Sequence, residues 1–364
     1  MMLATVMQTI DTTIANVALP NMQGTLLATQ ENIAWVLTSY IVAGAICMPL
    51  TGWLAARLGR KRLFLWSVGG FTVASMLCGA AQTLEQAVVF RMLQGVFGAG
   101  LVPLSQAVLL DVYPRERHGY AMAMWGVGIT LGPVLGPTIG GWLTEHYSWR
   151  WVFYINLPVG LFAFAGIALF VQETPIDRQR RFEALGFGLL AIAIGALQLM
   201  FDRGTLLDWF ASPEIVIEAI VAGAALYLFA AHSITHPRPF IDFDIFRDRN
   251  FAVGVACMFM MGMVLLATLA LLPPFMQTLM GYPIVDIGML LAPRGLGTML
   301  AMLVIGRFGT HLDARVTIIA GLSLTSFSLL EMSHFTADVS GWEIARTSFL
   351  QGAGLGLVYA HLTP

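Results

Sequence analysis

Charged side chains are scarce in this chain. Of its 364 residues only 11% are Asp, Glu, Lys or Arg, whereas 57% are hydrophobic and the mean hydropathy is +0.77. Soluble domains carry about 25% charged residues, so the composition excludes an ordinary water-soluble protein. Apolar runs of about 20 residues, the length that a helix needs to cross a bilayer, recur along the sequence. We therefore predict an all-α polytopic membrane protein.

Cysteine is also rare, and neither sign of charge dominates. The three cysteines are isolated within apolar runs and lack CxxC spacing, which argues against a disulfide framework or a zinc site. The formal net charge is −2, so no electrostatic argument favours a nucleic-acid partner. We expect the lipid bilayer to be the main partner of this surface, and we predict no metal site and no bound cofactor.

Twelve apolar segments are predicted to span the membrane. They cover residues 2–21, 33–53, 63–82, 86–108, 119–143, 151–171, 184–202, 214–232, 251–275, 286–306, 315–333 and 343–364. Residues 1–20 have neither a basic n-region nor a small-residue cleavage site, so we expect the first helix to be retained. Fourteen of the 19 basic residues lie in connectors on one side. The positive-inside rule makes that side, and with it the N-terminus, cytoplasmic.

Two short segments recur in the same order along the chain. The segment "VFRMLQGVFGAGL" at 89–101 resembles "RTSFLQGAGLGL" at 346–357, with an offset of 257 residues. The segment "GWLAARLGRKRL" at 52–63 resembles "GRFGTHLDARVT" at 306–317, with an offset of 254. Similar offsets in one order indicate duplicated halves, as many transporters have. Chance similarity between glycine-rich helices is the alternative.

The repeat predicts how the chain is divided. We expect an N-terminal six-helix bundle at 1–171, two inserted linker helices with cytoplasmic loops at 172–250, and an incomplete C-terminal bundle at 251–364. The counterpart of the fifth span would fall beyond residue 364. We therefore expect the chain to hold twelve helices of a fourteen-helix protein.

Several charges lie inside predicted spans. Asp11 is mid-span in the first helix, where an ionised carboxylate costs about 2.5–3.5 kcal/mol on insertion scales. Burial disfavours the charged carboxylate and a nearby cation favours it, so Asp11 is a candidate proton carrier. Arg91, which stays protonated, is a candidate for biasing it. The alternatives are a structural hydrogen bond for Asp11 and snorkelling to the outer interface for Arg91. Arg294 and Arg346 lack a motif, and an interfacial position is the favoured interpretation.

Other polar side chains suggest a substrate cavity. Thr12 and Asn16 lie about one turn apart and are predicted to extend a polar arc from Asp11. Gln94 lies one turn beyond Arg91 on the same helix face. We expect these side chains to line a weakly polar cavity, whose apolar walls would bind hydrophobic compounds.

The fifth span contains the segment "GITLGPVLGPTIGGWL" at 128–143. Its glycines are Gly128, Gly132, Gly136, Gly140 and Gly141, and its prolines are Pro133 and Pro137. The first four glycines recur every four residues, so each advances about 40° and together they form a groove without side chains. The prolines remove backbone donors and bend the helix. The groove predicts close approach of another helix.

The connector after the second span combines glycine with basic residues. The candidate gate residues are Gly52, Arg57, Gly59, Arg60, Lys61 and Asp111. Gly52 is expected to permit close packing and Gly59 to adopt a left-handed turn at a helix end. The basic residues favour the negative end of the preceding helix and the inner leaflet. Asp111 is expected to pair with Arg57 and latch one state, and plain topology anchoring is the alternative.

Together these motifs resemble the major facilitator superfamily, specifically its fourteen-helix drug:proton antiporters of the EmrB/QacA type. The matching segments are "IDTTIANVALP" at 10–20, "GWLAARLGRKRL" at 52–63, "RMLQGVFGAG" at 91–100 and the glycine-rich fifth span. Two positions depart from the family pattern: Ala123 replaces the leading glycine of the fifth-span motif, and Ala56 replaces the loop aspartate. The resemblance implies the major facilitator fold, two pseudo-repeated six-helix bundles with two inserted helices.

The resemblance also implies a function. It implies proton-coupled export of hydrophobic or amphiphilic drugs across the bacterial inner membrane, with Arg91 in proton coupling and the proton gradient in place of a cofactor. It places the glycine groove at a seam between the two halves, and ordinary small-residue packing is the alternative. The EmrB branch further implies a periplasmic adaptor protein and an outer-membrane channel.

Other functional classes fit the sequence less well. An uptake symporter of the same superfamily for a small organic solute is the principal alternative. An enzyme is disfavoured because His232 and His236 have no third metal ligand in register and no nucleophile set can be located. A channel would need a selectivity ring, which usually arises from oligomeric symmetry.

Overall fold

A computed structural model describes residues 1–114, 117–177, 182–308 and 313–362. Its α-helices are α1 (Met2–Thr25), α2 (Gln30–Ile33), α3 (Trp35–Cys47), α4 (Leu50–Leu58), α5 (Arg60–Ala80), α6 (Leu84–Gly98), α7 (Leu101–Val112), α8 (His118–His146), α9 (Trp151–Tyr154), α10 (Asn156–Phe170), α11 (Ala184–Arg203), α12 (Pro213–Thr235), α13 (Arg249–Thr278), α14 (Ile284–Phe308), α15 (Ala314–Met332) and α16 (Gly341–Leu362). Short 3₁₀ segments at Trp209–Ala211 and Phe243–Arg247 lie in connectors. Every predicted span coincides with a helix or a broken helix, so the all-α polytopic class is confirmed.

Eight of the described helical segments are long and apolar enough to cross a membrane, and a bent pair makes a ninth. The bent pair is α3 and α4, which meet at 59°. Pro49 lies at this junction, and because proline has no N–H it interrupts the helical hydrogen bonding there. Helices α1, α8 and α16 are the other three predicted crossings. In α1 the apolar run is interrupted by Asp11, Thr12 and Asn16.

Helices α1 to α10 enclose a polar layer between two apolar clusters. One cluster includes Met7, Phe64, Phe71, Leu101, Leu104 and Ile167. The other includes Ile14, Met22, Val36, Cys78, Trp149 and Phe153. Along α1 and α5, the buried residues Asp11 and Ser75 fall between members of the two clusters. The apolar side chains therefore cover the polar layer on both sides along the helix axes.

The second half repeats a helix crossing of the first. Gly95 of α6 lies against the backbone of Tyr40 in α3, and a Cβ on this glycine would overlap the Tyr40 carbonyl oxygen. Gly352 of α16 lies against the backbone of Arg294 in α14 in the same way. The glycines are 257 residues apart and their partners 254, the two offsets found in the sequence. The duplicated halves are therefore visible in the packing as well.

Helix α8 contacts helices of both halves. It packs on α1 along one side and on α14 along the other, where Gly126 lies against Met302. The hairpin of α11 and α12 packs chiefly on itself, and α11 also lies against α3. There the Thr38 hydroxyl donates a hydrogen bond to Asp202 of α11. The boundaries at residues 171 and 250 remain a prediction.

Candidate functional site: a buried ion pair and its supports

A buried ion pair forms the centre of the polar layer. Arg91 Nη1 donates to Asp11 Oδ2 at 2.7 Å, and each side chain is only 1% exposed. Gln94 Nε2 and Asn156 Nδ2 both donate to the second carboxylate oxygen, Asp11 Oδ1, at 2.9 and 2.6 Å. Three donors from α6 and α10 thus converge on one carboxylate of α1. Charge-assisted hydrogen bonds of this kind compensate the removal of a charge from water.

The guanidinium of Arg91 is held equally closely. Its Nη1 also donates to Gln94 Oε1 at 2.8 Å, and its Nε donates to the Val36 carbonyl at 3.3 Å. The Tyr40 ring lies over the guanidinium, with its centroid 4.5 Å from Cζ. A cation at this distance from an aromatic face is electrostatically stabilised. Arg91 is therefore a fixed part of the bundle interior, and snorkelling to the outer interface is wrong as an account of it.

Sequence reasoning missed two members of this network. Asn156, at the start of α10, bonds both Asp11 and Ser75 Oγ, the latter at 2.9 Å. Ser75 of α5 in turn donates to the Phe153 carbonyl at 2.9 Å. The available signal was Asn156 itself, an amide inside an apolar span, because a buried polar side chain in such a span needs a partner.

Two of the predicted cavity residues lie away from the network. The Thr12 hydroxyl donates to the Thr9 carbonyl at 2.9 Å within its own helix, and Asn16 is exposed. Residues on a helix advance by about 100° each, so Thr12 and Asn16 diverge by about 100° and 140° from Asp11. A continuous polar arc from Asp11 through these residues is therefore wrong. Whether Thr12 and Asn16 line a substrate cavity stays a prediction.

The glycine groove of α8 packs against α1. A Cβ on Gly132 would overlap Thr9, and a Cβ on Gly136 would overlap the Thr13 hydroxyl. Thr13 Oγ1 also donates to the Gly132 carbonyl at 3.2 Å. The tight contacts of this groove are therefore made with α1, and its placement at a seam between the two halves stays a prediction. Glycine spacing predicts a close helix contact, but it carries no information on which helix makes it.

The other residues of the fifth-span motif differ in how tightly they pack. Cβ atoms on Gly128 and Gly140 would lie 3.2 Å from the nearest side-chain atoms of α1, and one on Gly141 would have no neighbour within 4 Å. The side chains of Pro133 and Pro137 lie outside the described residues. The tight part of the groove is thus centred on its two middle glycines.

At the end of the bundle where α5 begins, an ion pair links Arg60 to Asp111 at the end of α7. The expected pairing of Asp111 with Arg57 is wrong, because the Arg57 guanidinium lies over the Trp53 ring instead, 5.2 Å from its centroid. Gly59 separates α4 from α5 with a φ of +89°, in the positive region expected for it. Gly59 ends α4 and precedes α5, so Arg57 and Arg60 lie on different helices and contact different partners.

Glu173, just after α10, lies at the same end. Its Oε1 accepts the backbone N–H of Lys61 at 3.1 Å, and its Oε2 lies 3.6 Å from Arg62 Nε. A Cβ on Gly59 would overlap this carboxylate, so glycine is required there by space as well as by φ. A Cβ on Gly52, in contrast, would have no neighbour within 4 Å. The expectation that Gly52 permits close packing is therefore wrong.

The family model of the Major Facilitator Superfamily matches residues 1–364. The chain belongs to this superfamily. Among its curated relatives, the chain is 40% identical to the fatty acid resistance protein FarB of Neisseria gonorrhoeae, with 99% of this chain and 71% of FarB aligned. It is 41% identical to the multidrug export protein EmrB of Escherichia coli K12, with 86% of this chain and 61% of EmrB aligned. It thus spans between three fifths and three quarters of the length of these relatives.

Solved structures of the superfamily show the same fold. The proton:xylose symporter XylE bound to 6-bromo-6-deoxy-D-glucose matches with a TM-score of 0.68 at 14% identity, covering 100% of this chain and 79% of XylE. At that identity the likeness concerns the fold alone. The chain is therefore a multi-pass membrane protein with the major facilitator architecture, and the Asp11–Arg91 pair lies inside a transporter fold.

Proposed function

We propose that the protein is a proton-driven exporter of hydrophobic and amphiphilic compounds that works by alternating access. The observation that carries the proposal is a fully buried acid, Asp11, paired with a cation inside a fold whose curated relatives are named for multidrug export and fatty acid resistance. Asp11 supplies a group that can take up a proton. Arg91 supplies the charge that favours its release.

In the proposed cycle, separation of the helices around Asp11 exposes it and lets it bind a proton. Protonation removes the charge that attracts Arg91, so the open arrangement is stabilised. Return to the bonded arrangement requires loss of the proton, because Arg91, Gln94 and Asn156 all present donors to the carboxylate. The proton is thereby linked to the change of state, and the proton gradient supplies the energy without a bound cofactor.

The proposal includes a location and partners. The protein would lie in the bacterial inner membrane with its N-terminus in the cytoplasm, so that Arg60 and its basic neighbours face the anionic inner leaflet. Amphiphilic substrates would reach the cavity from the bilayer. By analogy with the EmrB branch, a periplasmic adaptor and an outer-membrane channel would carry substrate onward.

Transport in liposomes tests the proposal. Purified protein is reconstituted, a pH gradient is imposed, and movement of ethidium against its own gradient is followed by fluorescence. We expect movement opposite to the proton flux, abolished by a protonophore and absent in Asp11→Asn. Glu331→Gln, in an exposed ion pair with Arg346, is the matched control and should transport normally. Movement in the same direction as protons would favour an uptake symporter, and full activity of Asp11→Asn would remove Asp11 from the mechanism.

A further inference from the structure

Arg294 is a buried cation inside a spanning helix. It lies in α14 immediately after Pro293, and only 6% of its surface is exposed. Among the described residues, none of its three guanidinium nitrogens has a hydrogen-bond partner. A buried charge without a partner is strongly destabilising, so the expected interfacial position of this arginine is wrong and its burial requires another explanation.

The first half of the molecule shows how this fold satisfies a buried guanidinium. Arg91 is bonded to the carboxylate of Asp11 and to Gln94 Oε1, and Gln94 Nε2 completes the triangle by donating to Asp11. The acid, the amide and the cation thus occupy three adjoining positions in the bundle interior.

The internal repeat places Arg294 at the corresponding part of the second half. With the offset of 257, Gln94 corresponds to Gln351 and Asp11 to Thr268. Gln351 Nε2 donates to Thr268 Oγ1 at 2.8 Å, just as Gln94 donates to Asp11. With the offset of 254, Arg294 has the position of Tyr40, the residue whose ring covers Arg91. The second half therefore keeps the amide and a cation, whereas a threonine replaces the acid.

Further polar atoms at this crossing also lack partners. Ser348 Oγ and Gln351 Oε1 are fully buried, and neither has a hydrogen-bond partner within the described ranges. Ser348 lies one turn before Gly352, on the same face of α16, and Gly352 abuts the backbone of Arg294. Helix α14 also packs on α8, and transporters built from two repeats hold their substrates at the interface of the repeats.

We propose that Arg294 binds the carboxylate of an anionic amphiphile, with Ser348 as an additional donor. A guanidinium matches a carboxylate with two parallel hydrogen bonds. The ligand would supply the negative charge that Thr268 cannot. An apolar tail would add to the affinity because the site lies inside a spanning helix, where removing apolar surface from water is favourable. This inference rests on the proposed export function and names one substrate class for it.

Binding to the purified protein in nanodiscs tests the site directly. The probe is radiolabelled decanoate, with decyltrimethylammonium as a cation of equal chain length and empty nanodiscs to correct for partitioning. We expect Arg294→Gln to weaken decanoate binding at least tenfold, equivalent to about 1.4 kcal/mol, and to leave the cation within twofold. Arg346→Gln, which removes an exposed arginine, should bind both probes as the wild type does. Arg294→Lys keeps the charge and should retain part of the affinity.

Thermal unfolding distinguishes a ligand site from a structural role. Without ligand, Arg294→Gln should unfold at the wild-type temperature or above, because it removes an unpaired charge. Decanoate should raise the Tm of the wild type and not that of Arg294→Gln. A lower Tm for the ligand-free variant would show that a protein group already pairs with the Arg294 guanidinium, and it would overturn the proposal. Wild-type protein that binds decanoate no better than the cation would overturn it too. An equal loss of both probes would also overturn it.

The same preparations separate this inference from the proposed function. Proton-driven ethidium movement is measured in the wild type, and decanoate binding is compared between the wild type and Arg294→Gln. Absence of ethidium transport in the wild type would refute the export proposal and leave the decanoate result standing. Normal transport combined with unchanged decanoate affinity in Arg294→Gln would refute the anion site alone.

Discussion

Neutralising Asp11 while Arg91 keeps its charge should destabilise the protein far more than any exposed ion-pair change. In Asp11→Asn the oxygen that accepts from Gln94 and Asn156 can be kept. The new amide nitrogen then replaces Oδ2, which lies 2.7 Å from Arg91 Nη1 in the wild type. Its donor hydrogens therefore point at another donor. Breaking one side of a buried ion pair typically costs about 3–5 kcal/mol, and both partners here are 1% exposed.

Removing the second charge should restore much of that loss. In the double variant Asp11→Asn/Arg91→Gln no unpaired charge remains, and replacing a whole buried pair is often close to neutral. The coupling between the two substitutions should therefore be about 3 kcal/mol or more, at or above the upper end of the range found for groups in one network. Glu331→Gln supplies the control, because its exposed pair with Arg346 is worth about 1 kcal/mol or less.

The measurement is unfolding of the purified protein in one detergent, followed by tryptophan fluorescence for the wild type, both single variants, the double variant and the control. Transport is recorded on the same preparations. We expect the double variant to fold nearly as well as the wild type and still to transport nothing, since no titratable acid remains. Additive effects of the two substitutions would refute the ion-pair reasoning. Uphill transport by the double variant would refute proton carriage by Asp11.

Two further predictions concern helix contacts. Gly136→Ala should lower stability by about 1–3 kcal/mol and impair transport, because its Cβ overlaps Thr13, whereas Gly141→Ala should behave as the wild type in both unfolding and dye transport assays; equal effects of the two would contradict a tight groove. Asp111→Asn should change the balance of inward- and outward-facing states, measured by protease accessibility, and Arg57→Gln should not, because Asp111 pairs with Arg60.

The parts of this structure that follow from periodicity and composition could be read from the sequence. Apolar length located the helices, and the recurring "LQG" located the two related crossings at Gly95 and Gly352. The spacing of glycines in α8 showed that another helix approaches closely. None of these patterns names the partner helix, because amphipathicity and small-residue spacing describe one surface only. The glycine spacing therefore predicts a groove without predicting that the groove lies against α1.

The sequence predicts the contacts of individual side chains less well than it predicts the helices. The sequence predicts Asp11 and Arg91 as site residues because charges in spans need partners, whereas Asn156 obeys the same rule but gives a weaker signal because its amide is uncharged. Gly59 shows the opposite case. Its positive φ was predictable from its place at a helix end, but the turn it makes also separates the directions of Arg57 and Arg60. Arg57 precedes this turn and lies over the Trp53 ring, whereas Arg60 follows it and pairs with Asp111.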